Sequence, residues 1–168
     1  MAVVVTDDEL KTAAQQGSRQ FLQVFMDKCA EALGGDIDAN NMDKLNGAQH
    51  ALYSYKLMRE KIDEGGFLLL IQEGYGPYIF DNPFAKAMRL YGAHRLSQLI
   101  YKAKKIYDLH KDELTADIDT DEKYDYIMDT YAPKFEKIED EIIVIEDDEL
   151  DAVAHYVDEH ISEFAQIQ

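Results

Sequence analysis

The chain has 168 residues, 46% hydrophobic and 30% charged, with 34 acids against 17 bases and a net charge of −17. This length buries roughly two-thirds of the unfolded surface, so one domain over 1–168 is expected, while the charge argues against direct contact with nucleic acid or an anionic membrane. One cysteine, Cys29, excludes an internal disulfide framework and fits a reducing cytoplasm; no apolar run reaches the about 18 residues of a membrane span, and Met1–Val5 is too short and lacks the basic residues of a signal peptide.

In chain order, Thr6-Asp7-Asp8-Glu9 has the form of a capping box and opens a helix. Leu10, Ala13, Ala14, Phe21, Val24, Phe25 and Ala32 continue its apolar stripe, Gly17-Ser18 bends it, and Gly34-Gly35 ends it. Asp36 to Asn41 is turn-rich. A second helix is predicted from Met42 to Ile62 on Leu45, Ala48, Leu52, Tyr55, Met58 and Ile62, stopped by Gly65-Gly66. Phe67-Leu68-Leu69-Leu70-Ile71 is apolar all round and reads as a short buried helix. After the Gly74–Pro77 loop, Asn82-Pro83 reads as an N-cap with proline at the first helical position, leading a helix to about Leu109 with Gly92 as an interruption.

The last third predicts two or three helices. One is capped by Asp119 or Thr120 and ended by Pro133, a second is opened by Pro133, and a last one is capped by Asp147 or Asp148 and lined by Leu150, Val153, Ala154, Val157, Ile161 and Phe164. Ile142–Ile145 is β-branched and leaves helix or short strand open. The fold expected is all-α, an irregular bundle of about six to eight helices.

Charge is segregated along the chain. Residues 1–110 hold 14 acids and 13 bases; residues 111–168 hold 20 acids and 4 bases. The acids alternate with apolar residues such as Tyr124, Ile127, Tyr131, Phe135 and Ile142, the pattern of a folded acidic region rather than a disordered tail.

Motifs for chemistry are sparse. No phosphate-binding glycine loop occurs. Cys29 reads as a buried structural thiol. His155 and Glu159 share a helical face but lack the further ligands a zinc site needs. Asp117-x-Asp119-x-Asp121 opens like a calcium loop, yet Glu122 stands at the glycine position and Met128 at the glutamate position; Asp36-x-Asp38-x-Asn40 fails similarly, and both read as turns and caps. No cofactor and no enzymatic activity are expected.

Duplex DNA carries about one charge per 1.7 Å of axis, and helical carboxylates at i, i+3 and i+4 form comparable rows. The candidate partner-binding acids are Asp112, Glu113, Asp117, Asp121, Asp125, Asp129, Glu136, Glu139, Asp140, Asp151, Asp158 and Glu159, with Tyr124, Tyr126 and Tyr131 as contact anchors.

The segment Ile62-Asp63-Glu64-Gly65-Gly66-Phe67, followed by a glycine-containing loop and Ala87-Met88-Arg89-Leu90-Tyr91-Gly92-Ala93, resembles the central pattern of a bacterial domain-of-unknown-function family whose best-known member is a DNA mimic. The likeness covers roughly residues 45–165. The family commonly has Asn before the glycines and aromatics with Asn-Ser after the phenylalanine; here Glu64 and Leu68-Leu69-Leu70-Ile71-Gln72 stand there, as in a divergent branch. The resemblance implies an all-α, cytoplasmic protein and a homodimer and, for the best-known member, an acidic surface that imitates duplex DNA and captures a transcription factor. It carries no acidic residue over by position.

The function expected is a non-enzymatic interaction protein whose acidic C-terminal face binds a basic, DNA-binding protein in place of DNA. The rival readings are an immunity-type protein that neutralises a basic toxin, an enzyme or metal protein using His155, Glu159 and scattered carboxylates, and a structural domain whose acidity serves solubility alone.

Overall fold

The computed structural model describes residues 2–168 and is all-α; Met1 lies outside the described residues. Val3 and Val5 of the opening apolar run are buried. Strand β1 (Val4–Val5) pairs in parallel with β2 (Gln166–Ile167), the Gln166 and Gln168 amides donating to the Val3 and Val5 carbonyls at 2.9 Å. The two ends of the chain are thereby stitched together.

The capping box forms as expected. Thr6 Oγ1 accepts from the Glu9 amide at 3.1 Å and Glu9 Oε2 from the Thr6 amide at 2.7 Å, opening α1 (Asp7–Gln16). Gly17, at φ +124°, separates α1 from α2 (Ser18–Leu33), so the expected bend is a break. In the turn that follows, Asp38 Oδ1 accepts from the amides of Asn40 and Asn41 at 2.7 and 3.2 Å. The predicted start at Met42 is displaced: Met42–Lys44 is a 3-10 turn, and α3 (Gly47–Gln72) begins after a second reciprocal box, between Asn46 and Gln49. Gly65 and Gly66 interrupt α3, and Phe67–Ile71 resumes it as the expected helix, with Phe67 and Leu70 fully buried.

The short helices α4 (Gly76–Phe80) and α5 (Phe84–Leu90) follow; Pro83, not Asn82, occupies the position before α5, and the Asn82 side chain donates from Nδ2 to the Tyr78 carbonyl at 3.0 Å. Gly92, at φ +95°, divides the predicted long helix into α5 and α6 (His94–Leu109). After α7 (Lys111–Leu114), Thr120 caps α8, its Oγ1 accepting from the Lys123 amide at 3.1 Å.

Where the sequence predicts two or three helices, α8 (Asp121–Glu159) is a single helix of 39 residues. Pro133 neither ends nor opens a helix; it lies inside α8, and Asp147 and Asp148, expected as caps, are interior too. Proline removes one i→i−4 bond and costs about 3 kcal/mol in a helix interior. Pro133 lies on the exposed side of α8, while Tyr131, Phe135, Ile138 and Ile142 bury the opposite side. Ile142–Ile145 is therefore helical. α8 packs against α2, α3 and α6, and α9 (Ile161–Phe164) returns the chain to β1.

Gly66 has φ +77°, and a Cβ there would lie 2.5 Å from Glu139 Oε2. Gly66→Ala is expected to destabilise by about 1–3 kcal/mol through left-handed strain and displacement of that carboxylate. Urea denaturation measures it; an unchanged midpoint would show that the kink does not need glycine.

Candidate protein-binding face on the acidic helix

The sequence of α8 contains 15 acids and three lysines. Their roles divide by helical phase. Twelve acids are exposed, and three, Glu139, Glu146 and Glu149, are turned towards the neighbouring helices.

The inward three hold the fold. Glu146 accepts from Arg19 Nη2 at 2.8 Å, from Arg59 Nε and from the Tyr55 hydroxyl, with its side chain only 4% exposed. Burial alone pushes the Glu146 carboxyl up, but the hydrogen bonds from Tyr55, Arg59 and Arg19 outweigh it and hold the group below the ordinary carboxylate range. Glu149 Oε1 accepts from Arg95 Nε and its Oε2 from the Leu96 amide, both at 3.0 Å. Leu96 lies in the first turn of α6, where Ala93 has no side chain to cap with, so Glu149 serves as a cap from another helix. Glu139 Oε2 accepts from the Phe67 amide at 2.8 Å and does the same for the resumed part of α3. Burial pushes the Glu139 carboxyl up; the Phe67 hydrogen bond opposes this, and the like charges of Glu136 and Asp140 add to it.

This placement alters the predicted set. Glu139 is half-buried against α3 rather than displayed. Glu113 is half-buried and accepts from the Tyr131 hydroxyl, and Tyr131 is buried, so it is no contact anchor; Tyr124 and Tyr126 are exposed. Asp112, Asp117, Asp121, Asp125, Asp129, Glu136, Asp140, Asp151, Asp158 and Glu159 are all exposed. Glu159 meets His155, Oε1 to Nε2, at 3.1 Å, and no group of three metal-ligating side chains occurs among the described residues. Asp119 pairs with Lys123 at 2.8 Å and precedes the cap, which is Thr120.

The exposed acids have an order visible only on a continuous helix. Asp125, Asp129, Glu136, Asp140, Asp147, Asp151 and Asp158 follow one another at alternating steps of four and seven, an eleven-residue repeat, and every one is exposed. Eleven residues make about three turns and rise about 16.5 Å, so the row drifts only about 20° around the helix per repeat. Asp147 is the one member bound elsewhere, at 2.9 Å from Arg19 Nη2. The other six have no ion-pair partner among the described residues. Beside this row, Ile143 is 50% and Val144 83% exposed.

Fold and face together define an all-α protein organised around one long helix whose outer side is a regular carboxylate row. The model of the DMP19-like protein family matches residues 43–160, and the chain belongs to that family. The DNA mimic protein DMP19 of Neisseria meningitidis serogroup B (strain ATCC BAA-335 / MC58) is 38% identical over 66 residues, 39% of this chain and 40% of that protein. The matched segment thus spans about two-fifths of that relative's length.

Glu146→Gln is expected to cost about 1–3 kcal/mol through the loss of charge-assisted hydrogen bonds from Tyr55, Arg59 and Arg19, whose guanidinium groups keep Asp63 and Asp147 as partners, while Asp125→Asn stays within about 0.5 kcal/mol. Because the folded-state value of Glu146 lies below its ordinary 4.5, its contribution is complete above that pH and fades as pH falls through the folded value. The gap in denaturation free energy between wild type and Glu146→Gln therefore narrows below about pH 4.5; a constant gap down to pH 2 would contradict this.

Proposed function

We propose that this chain is a DNA mimic: the carboxylate row of α8 takes the place of backbone phosphates in the basic groove of a DNA-binding protein. The carrying observation is the eleven-residue repeat of exposed acids on one straight run of sequence. The pairs Asp125/Asp129 and Asp147/Asp151 are 22 residues apart, about 33 Å along the helix, close to the roughly 34 Å between successive major grooves on one face of a duplex. A protein whose two reading elements are spaced by one turn of DNA would meet an acidic pair at each. Family membership and the name of the Neisseria relative support the same reading.

Magnitudes limit the imitation. Twelve exposed acids over about 58 Å of helix make one per roughly 5 Å, against one per about 1.7 Å for the duplex. The face imitates one wall of DNA, not its full charge density. Affinity for the partner should accordingly fall less steeply with salt than the partner's affinity for DNA does.

The test is capture of proteins from the source cell's lysate at low salt, elution with duplex DNA, and purification of the DNA-binding protein released. Substituting Asp125, Asp129, Glu136, Asp140, Asp151 and Asp158 together by their amides is expected to weaken that complex by about 100-fold, six exposed ion pairs at roughly 0.5 kcal/mol each. A control that neutralises Asp8, Asp27, Glu31, Asp36, Asp43 and Glu60 should cost less than about tenfold. Equal losses would mean that net charge alone binds, and the mimic reading would fall.

A further inference from the structure

Beside the middle of the carboxylate row, a groove of about 330 Å³ runs between the kink of α3 and α8. Its floor is apolar: Ile62, Leu68, Met128, Ala132 and Phe135, with the half-exposed Ile143 at the lip. Its rim is acidic: Asp63 and Glu64 on the α3 side, Glu136 and Asp140 on the α8 side, with Glu139 in the wall.

The two rims differ in how their charge is met. Asp63 lies 3.1 Å from Arg59 Nη1 and Glu64 3.5 Å from Lys61 Nζ. Glu136, Glu139 and Asp140 have no cation partner among the described residues, and their mutual repulsion adds to the upward displacement of the Glu139 carboxyl. The groove thus has an apolar floor and an unneutralised negative edge. That combination suits a side chain with an apolar stem and a cationic head. Glu136 and Asp140, at i and i+4, offer neighbouring carboxylates on one helical face, which matches the several donors of a guanidinium better than the single point charge of an ammonium. The position agrees with this use: Glu136/Asp140 is the central pair of the row, and dominant contacts of an interface gather in pockets near its centre, where arginine is enriched.

We propose that this groove is a socket for one arginine side chain presented by the DNA-contacting face of a basic protein. The inference rests on the mimic reading and deepens it: the socket supplies an anchoring contact that a uniform row of carboxylates lacks.

The probe is N-acetyl-arginine methylamide, titrated into the 15N-labelled full chain, with the neutral citrulline and the lysine counterparts for comparison. The amide signals of Gly65, Gly66, Met128, Ala132 and Ile143 are expected to shift together with arginine and to saturate at a concentration at least about tenfold lower than with either counterpart. Ala132→Met, which fills the groove and leaves every charge in place, should lose at least about tenfold in arginine affinity; so should Glu136→Gln/Asp140→Asn, at exposed positions where folding is not at stake. Shifts spread evenly along residues 125–158, or arginine binding untouched by both variants, would overturn the socket. Equal binding of the lysine compound would overturn the assignment to arginine. None of these outcomes touches the mimic reading, which stands or falls on the six-acid variant and the displacement by DNA.

Discussion

A carboxylate can be buried only if cations and hydrogen-bond donors come with it, since an unpaired buried charge costs several kcal/mol. Glu146 satisfies this with Arg19, Arg59 and Tyr55, drawn from α2 and α3. Glu149 and Glu139, on the same helix, cap α6 and the resumed part of α3. These three contacts fix α8 against the rest of the molecule in rotation and in register. With the rotation fixed, every outward acid is fixed as well: the repeat from Asp125 to Asp158 faces solvent because Glu139, Glu146 and Glu149 face in.

The continuity of α8 through Pro133 has the same weight for the outer face. Two helices meeting at Pro133 would have independent phases, and the acids before and after it would share no row. One helix carries a single phase over the whole run, so that spacings of four and seven translate into one slowly drifting row of carboxylates. The helix absorbs its proline because Tyr131 and Phe135, two residues before and two after it, are both buried. Burying large side chains is worth about 1.5–3 kcal/mol each, comparable with the proline's cost.

Gly65-Gly66-Phe67, the segment through which the chain resembles its family, has a physical role in this frame. Gly66 adopts a left-handed conformation and lets the Glu139 carboxylate approach to where a Cβ would stand. Phe67 donates its amide to that carboxylate and buries its ring against Phe80 and Phe135. The motif is thus a junction between α3 and α8, and it belongs to the scaffold rather than to the acidic row. This is why the resemblance covers the fold well and leaves the outward acids to be read from the chain itself.

Much of the fold was legible in the sequence, because its signals are local. The Thr6/Glu9 box, the breaks at Gly17, Gly65-Gly66 and Gly92, the buried Phe67–Ile71 helix and the concentration of acids after residue 110 all depend on neighbours a few positions away. The Asn46/Gln49 box has the same spacing as Thr6/Glu9, yet the apolar period beginning at Leu45 drew the helix start upstream of it. The continuity of α8 and the division of its acids into inward and outward sets were decided by the tertiary structure alone. Proline and aspartate are read locally as breakers and caps, and what overrides them lies far off in the chain: Glu146 reaches Arg59 and Arg19 across 87 and 127 residues. Composition determined that this protein would be acidic, and apolar periodicity that it would be helical; only the packing of α8 against α2, α3 and α6 decided which carboxylates hold the molecule together and which face solvent.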